Sequence, residues 1–169
     1  MHRFAALGGA HGSSCQDFLA TAVAEWKAAG VRVAGVIAEA HNLPDRTCSA
    51  GFLRDIGSAE AYSMFLETAP TGTSCHLSAP GVERACASVL GQIAASDVVV
   101  LSKFGKLEAA GGGLSPAFVA ALAAGKPVLT TVSDLHWAAF ASLLPGALRL
   151  PPRSEAIRDW WSEVRAVPA

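Results

Sequence analysis

The chain has 169 residues, 51% of them hydrophobic and 16% charged, and a formal net charge of −1. That length suits one domain with a real core, and so apolar a composition excludes a disordered chain. The near-neutral balance lacks the global basic field expected of a nucleic-acid binder, while leaving local cations available to a small anion.

Residues 3–7 are a short apolar run closed by Gly8 and Gly9, too short for a secretory signal and readable as a first strand. No apolar run reaches the ~18 residues needed to span a bilayer, so a cytoplasmic protein without a membrane partner is expected. Over residues 13–29, Cys15, Phe18, Leu19, Ala22, Val23 and Trp26 share one helical face, and Gly30 stops the helix. Residues 31–38 read as a strand covered on both faces.

Residues 41–77 interrupt the alternation. Pro44-Asp45, Gly57-Ser58 and Pro70-Thr71-Gly72 form turns there, and 51–56 and 61–66 are expected to pair as an inserted hairpin. Pro80 then opens a helix with Val82, Ala85, Cys86, Val89, Leu90 and Ile93 on one face. Residues 97–101 form a buried strand. Ser115 caps a helix carrying Phe118, Val119 and Leu122, with Pro116 in its first turn. Residues 128–132 are a further strand, a helix starts near Asp134, and 147–150 form an edge strand. Ser154 caps a last helix with Ile157, Trp160, Trp161 and Val164.

This alternation predicts a single α/β domain over 1–169, a mostly parallel sheet with helices on both faces and an inserted β-hairpin. The first strand should end near Leu7, the first helix should begin near Ser13, and the strand at 98–101 should lie beside the first strand.

In such sheets ligands bind at the carboxyl ends of the strands. The first strand-to-helix turn is Gly8-Gly9-Ala10-His11-Gly12-Ser13-Ser14. Glycines let the backbone approach a ligand, and the following helix supplies unpaired N–H groups and a positive dipole end, together a site for a tetrahedral anion. A P-loop requires glycine, four residues, glycine, lysine, then serine or threonine. Laid on this loop, the pattern puts Leu7 at the first glycine, Gly12 at the second, Ser13 at the lysine and Ser14 at the hydroxyl. The lysine that neutralises the terminal phosphates is therefore missing. A tight turn leading into a serine-capped helix is the plain structural alternative.

Histidines and cysteines recur at His11, Cys15, His41, Cys48, Cys75, His76, Cys86 and His136, but too scattered for a zinc site. Without a CxxC pair in a cytosolic chain, no disulfide framework is expected. Cys15 and Cys86 lie on apolar helix faces and read as core. His11 projects from the glycine loop and can donate a hydrogen bond or carry charge. No nucleophile–base–orienter set is present, the hydrolase elbow is missing, and the glycine pattern does not fit a dinucleotide fingerprint.

The run LSKFGKLEAAGGGLSPAFVAALAAGKPVLTTV, with Cys75-His76-Leu77 and the final Trp160-Trp161, resembles a bacterial family of unknown function typically encoded beside molybdate-uptake genes. More distantly the chain is similar to small P-loop nucleoside-triphosphatases, in which the corresponding strand ends in Asp-Glu followed by Ile-Gly-Lys-Met-Glu. By that resemblance, Ser102 and Lys103 replace the pair that holds Mg²⁺ and polarises water, and Phe104 to Glu108 follow the rest. The resemblance thus implies a P-loop-like fold from which two sets of chemical residues are gone. Lys103 would complement a dianion, or it or Lys106 would pair with Glu108 or Asp97.

The expected function is oxyanion binding, with molybdate or a related tetrahedral oxyanion as ligand, for storage, buffering or delivery. The expected site is Gly9, Ala10, His11, Gly12, Ser13, Ser14 and Lys103, with Lys106 and Glu108 as secondary candidates, no catalytic residue and no metal. A residual nucleotide-binding protein or weak nucleoside-triphosphatase, and a non-catalytic interaction module, are the alternatives. Self-association through the hairpin would make a homo-oligomer.

Overall fold

The structure, a computed structural model, describes residues 2–8, 12–40, 50–64 and 78–166, excluding the side chains of residues 12–14 and 50. Its strands are β1 (Phe4–Leu7), β2 (Val33–Ala40), β3 (Ala50–Asp55), β4 (Ala61–Ser63), β5 (Val98–Phe104), β6 (Val128–Val132) and β7 (Leu148–Leu150). Its helices are α1 (Gly12–Ala28), α2 (Ala79–Leu90), α3 (Lys106–Ala109), α4 (Ser115–Ala123), α5 (Trp137–Leu143) and α6 (Ser154–Ala166).

All seven strands join one sheet in the order β4-β3-β2-β5-β6-β1-β7. β2, β5, β6, β1 and β7 run parallel, in registers such as Val33↔Val98, Val99↔Val128, Phe4↔Val128 and Ala6↔Arg149. The α/β architecture read from the alternation is therefore present, with β1 ending at Leu7 and α1 starting at Gly12. One expectation is corrected. β6 lies between β5 and β1, so the strand at 98–101 is not the first strand's neighbour. Alternation fixes the hand of a crossover but not how many strands it passes.

Successive side chains on a strand point to opposite faces, and the parallel strands are apolar on both. Ala5, Leu7, Val98, Val100 and Leu129 pack with Leu19, Val23, Trp26, Ile157 and Trp160 of α1 and α6. Phe4, Ala6, Val99, Leu101 and Val128 pack with Val82, Val89, Phe118 and Phe140 of α2, α4 and α5. Trp26 meets Trp161 at 4.9 Å and Trp160 at 6.4 Å between ring centroids. The Trp160 indole N–H donates to the His2 carbonyl at 2.9 Å, and Arg158 pairs with Glu25 at 2.6 Å.

β3 runs antiparallel to β2, and β4 antiparallel to β3. The hairpin thus extends the main sheet at its edge. The remaining residues of the interruption, 41–49 and 65–77, with His41, Cys48, Cys75 and His76, lie outside the described residues. The hairpin is fastened by buried Asp55, whose Oδ1 accepts from the Gly57 and Ser58 N–H groups at 2.8 Å each. Its Oδ2 accepts from the Ser88 hydroxyl at 2.8 Å and the Gln92 amide at 2.7 Å. Burial pushes this carboxyl upward, but the four hydrogen bonds win and hold it below the usual carboxylate range. A Cβ at Gly81 would overlap the Ser63 carbonyl, so only glycine lets α2 sit this close to the end of β4.

Two helical faces differ from expectation. Leu90, Val119 and Leu122 are 41%, 48% and 38% exposed, and the buried residues of α4 are Ser115, Ala117, Phe118 and Ala121. Ser115 is the first helical residue rather than the cap, which is Leu114. Cys86 is buried with its thiol pushed up by desolvation, in keeping with a core residue.

Candidate functional site

Because β2, β5, β6, β1 and β7 are parallel, the ends of β1, β5, β6 and β7 emerge along one edge. The Gly8 N–H donates to Leu150 O at 3.2 Å, tying the residue after β1 to the end of β7. Gly9, Ala10 and His11 lie outside the described residues. Gly12, Ser13 and Ser14 form the first turn of α1, where amide N–H groups have no partner within the helix. No acidic residue occupies that turn, so no carboxylate competes for those donors.

β5 brings the second motif to the same edge. Ser102 is 2% exposed, and its hydroxyl donates to Gln16 Oε1 at 2.5 Å. This bond joins the end of β5 directly to α1, so the first turn of α1 and Lys103 stand at the same edge of the sheet although β1 and β5 are not neighbours. Gln16 was not singled out from the sequence, since nothing in its spacing distinguishes it from an ordinary helical polar residue. The Ser102–Lys103 peptide is cis. Lys103 is exposed, with its Cε 3.6 Å from where a Cβ on Gly105 would lie.

Lys106 is the exposed first residue of α3. Glu108 is 7% exposed, and both its oxygens accept backbone N–H groups, from Gly105 at 3.0 Å and Leu114 at 2.9 Å. A buried carboxylate so engaged braces the loop from Gly105 to Leu114, with Gly113 left-handed against it. Asp97, the other partner considered for the lysines, lies at the opposite end of β5 and pairs with Arg32 at 2.6 Å.

Three more residues stand at this edge. Asp134 follows β6 and forms an ion pair with Arg149 of β7. The Arg149 guanidinium carbon lies 5.3 Å from the ring centroid of Trp137, and a Cβ at Gly8 would lie 2.7 Å from Arg149 Nε. About 140 residues separate Gly8 from Arg149 in sequence, and only the pairing of β7 with β1 unites them. Among the described residues, no group of three or more His, Cys, Asp or Glu side chains could hold a metal ion. No described helix is long and apolar enough to cross a membrane.

Sheet order and helix placement define an α/β protein with a nucleoside-triphosphatase-like fold. The solution structure of a human cancer-related nucleoside triphosphatase superposes with a TM-score of 0.68 at 16% identity, covering 100% of both chains. The chain belongs to the family described as protein of unknown function DUF2478, whose model matches residues 4–160. It is also 32% identical over 156 residues to molybdenum import ATP-binding protein ModC 2 of Bradyrhizobium diazoefficiens. That match covers 88% of this chain and 17% of the relative, so the chain spans under a fifth of the relative's length.

Proposed function

We propose that this protein binds a tetrahedral oxyanion at the carboxyl edge of its sheet, around residues 9–14 and Lys103, without hydrolysing nucleotides. One observation carries the reading. Ser102, standing by resemblance where a triphosphatase keeps an acid, is buried and hydrogen-bonded to Gln16 of α1, and Lys103 adds a cation beside it. That arrangement supports an anion and gives Mg²⁺ no carboxylate at either position. Molybdate is the proposed physiological ligand, supported by the molybdenum in the relative's name, and storage, buffering or delivery is the proposed role. Lys106, at the start of α3, is kept as a secondary contact. Glu108, braced by backbone N–H groups, serves the loop instead.

An exposed helix end contributes only ~0.3–1 kcal/mol per anionic charge, whereas micromolar affinity needs about 8 kcal/mol. The remainder must come from charge-assisted hydrogen bonds in a desolvated setting. Calorimetry with molybdate, tungstate, sulfate and phosphate tests this. Binding below millimolar concentration is expected, weakened about tenfold or more in Lys103→Met and unchanged in Lys27→Met, at the far end of α1. If no oxyanion binds the wild type below millimolar concentration, the reading fails.

A second reading, nucleotide binding, draws on the words ATP-binding in the same relative's name. ATP with Mg²⁺ binding more tightly than every oxyanion would favour it.

A further inference from the structure

We propose a second anion site, at the amino edge of the sheet, that takes a small molecule carrying two or more phosphate groups. It lies at the opposite end of the strands from Lys103 and does not depend on the oxyanion reading. A cleft of about 550 Å³ opens there between the starts of β1, β2, β5 and β6 and the ends of α1, α4 and α6. Arg3, Lys126 and Arg165 line it, beside Asp97. Its volume falls within the ~300–1,000 Å³ of small-molecule pockets, more than a lone tetrahedral oxyanion fills. The three cations are far apart in sequence. They meet because β1 and β6 are neighbours and α6 packs on α1.

Their charges are left over rather than paired. The Arg3 Nη1 donates to Gly125 O at 2.8 Å, and Lys126 Nζ donates to Ser96 O at 2.7 Å. These bonds fix both side chains at the cleft. Their acceptors are neutral carbonyls, so each cation keeps its formal charge and most of its donors. Arg165 bonds no described residue. Among the described lining residues Asp97 is the only carboxylate, and Arg32 claims it through hydrogen bonds of 2.8, 3.1 and 2.6 Å. The helix ends that converge here carry roughly −0.5 charge each, which weakens the field of three formal cations without cancelling it. Cations gathered on one cleft raise the local concentration of anions, and phosphate oxygens accept charge-assisted hydrogen bonds from Arg and Lys. A single oxyanion cannot reach cations spread around a cleft of this size, whereas linked phosphates can.

Calorimetry on the full chain without Mg²⁺, with pyrophosphate and ADP as probes, separates the two edges when run in the Lys103→Met background. That substitution disables the proposed oxyanion site and leaves the cleft intact. Both probes should still bind below millimolar concentration. Adding Arg165→Ala or Lys126→Met should weaken them about fivefold or more. Arg165→Ala removes no described hydrogen bond, so its thermal melt without ligand should match that of its parent, and weaker binding then reports the site and not the fold. ADP binding more tightly than pyrophosphate would mark a nucleotide as the source of the phosphates, and equal affinity would mark the phosphates alone. Failure of both probes to bind Lys103→Met below millimolar concentration overturns this inference and leaves the oxyanion reading standing. Binding indifferent to both Arg165→Ala and Lys126→Met overturns it as well.

Discussion

At the scale of single residues, the proposed reading rests on two chemical differences from the triphosphatases the chain resembles. A serine hydroxyl at Ser13 carries no charge to neutralise terminal phosphates, and Ser102 with Lys103 offers no carboxylate to Mg²⁺ or to an attacking water. ATP and GTP turnover should be negligible beside the ~1–10³ s⁻¹ typical of enzymes, as read by phosphate release. Turnover in that range, abolished by Ser14→Ala, would refute this. Glu108 shows the limit of motif reasoning. Its place in the KFGKLE run was legible, but its partners, Gly105 and Leu114, depend on a loop folding back on itself. Glu108→Ala leaves two buried N–H groups unsatisfied, at about 1–3 kcal/mol each, and urea unfolding should show a loss on that scale. Gln16 was not legible, because it meets Ser102 only through packing of α1 on β5.

At the scale of elements, Asp55 couples the hairpin to α2, and the coupling depends on pH. Its folded pKa lies below the unfolded value, about 3.9. The stability it contributes is therefore complete above that value and is lost as pH falls through it towards the folded pKa. Urea unfolding at pH 6 and pH 3 should show acid destabilisation that is smaller in Asp55→Asn, which is itself less stable at pH 6. Gly81→Ala forces α2 away from β4, and overpacking of this kind costs typically 1–3 kcal/mol, measurable in the same way. Element positions were largely legible where periodicity was strong, as in α1, β6 and α6. The face of α4 was not, because its sequence SPAFVAALA is apolar nearly all round. Small alanines pack inward there, while Val119 and Leu122 remain exposed.

At the scale of the whole molecule, the sheet is covered by α1 and α6 on one face and by α2, α4 and α5 on the other. Alternation made that layering legible, whereas the order β5-β6-β1 was not, since a crossover of either length obeys the same handedness. Self-association, which we propose as the protein's assembly state, is checked by sedimentation velocity: a monomer at all micromolar concentrations would rule it out. The distribution of the aromatic residues has an optical consequence. Of the four tryptophans, Trp26, Trp160 and Trp161 are clustered where α1 meets α6, while Trp137 lies under Arg149. The first three form a background that reports global unfolding, and the fourth stands apart from them at the carboxyl edge of the sheet, where the anion is proposed to bind. Titration with molybdate should change the emission of the native protein through Trp137, and the change should vanish in Trp137→Phe while the unfolding signal from the other three indoles persists.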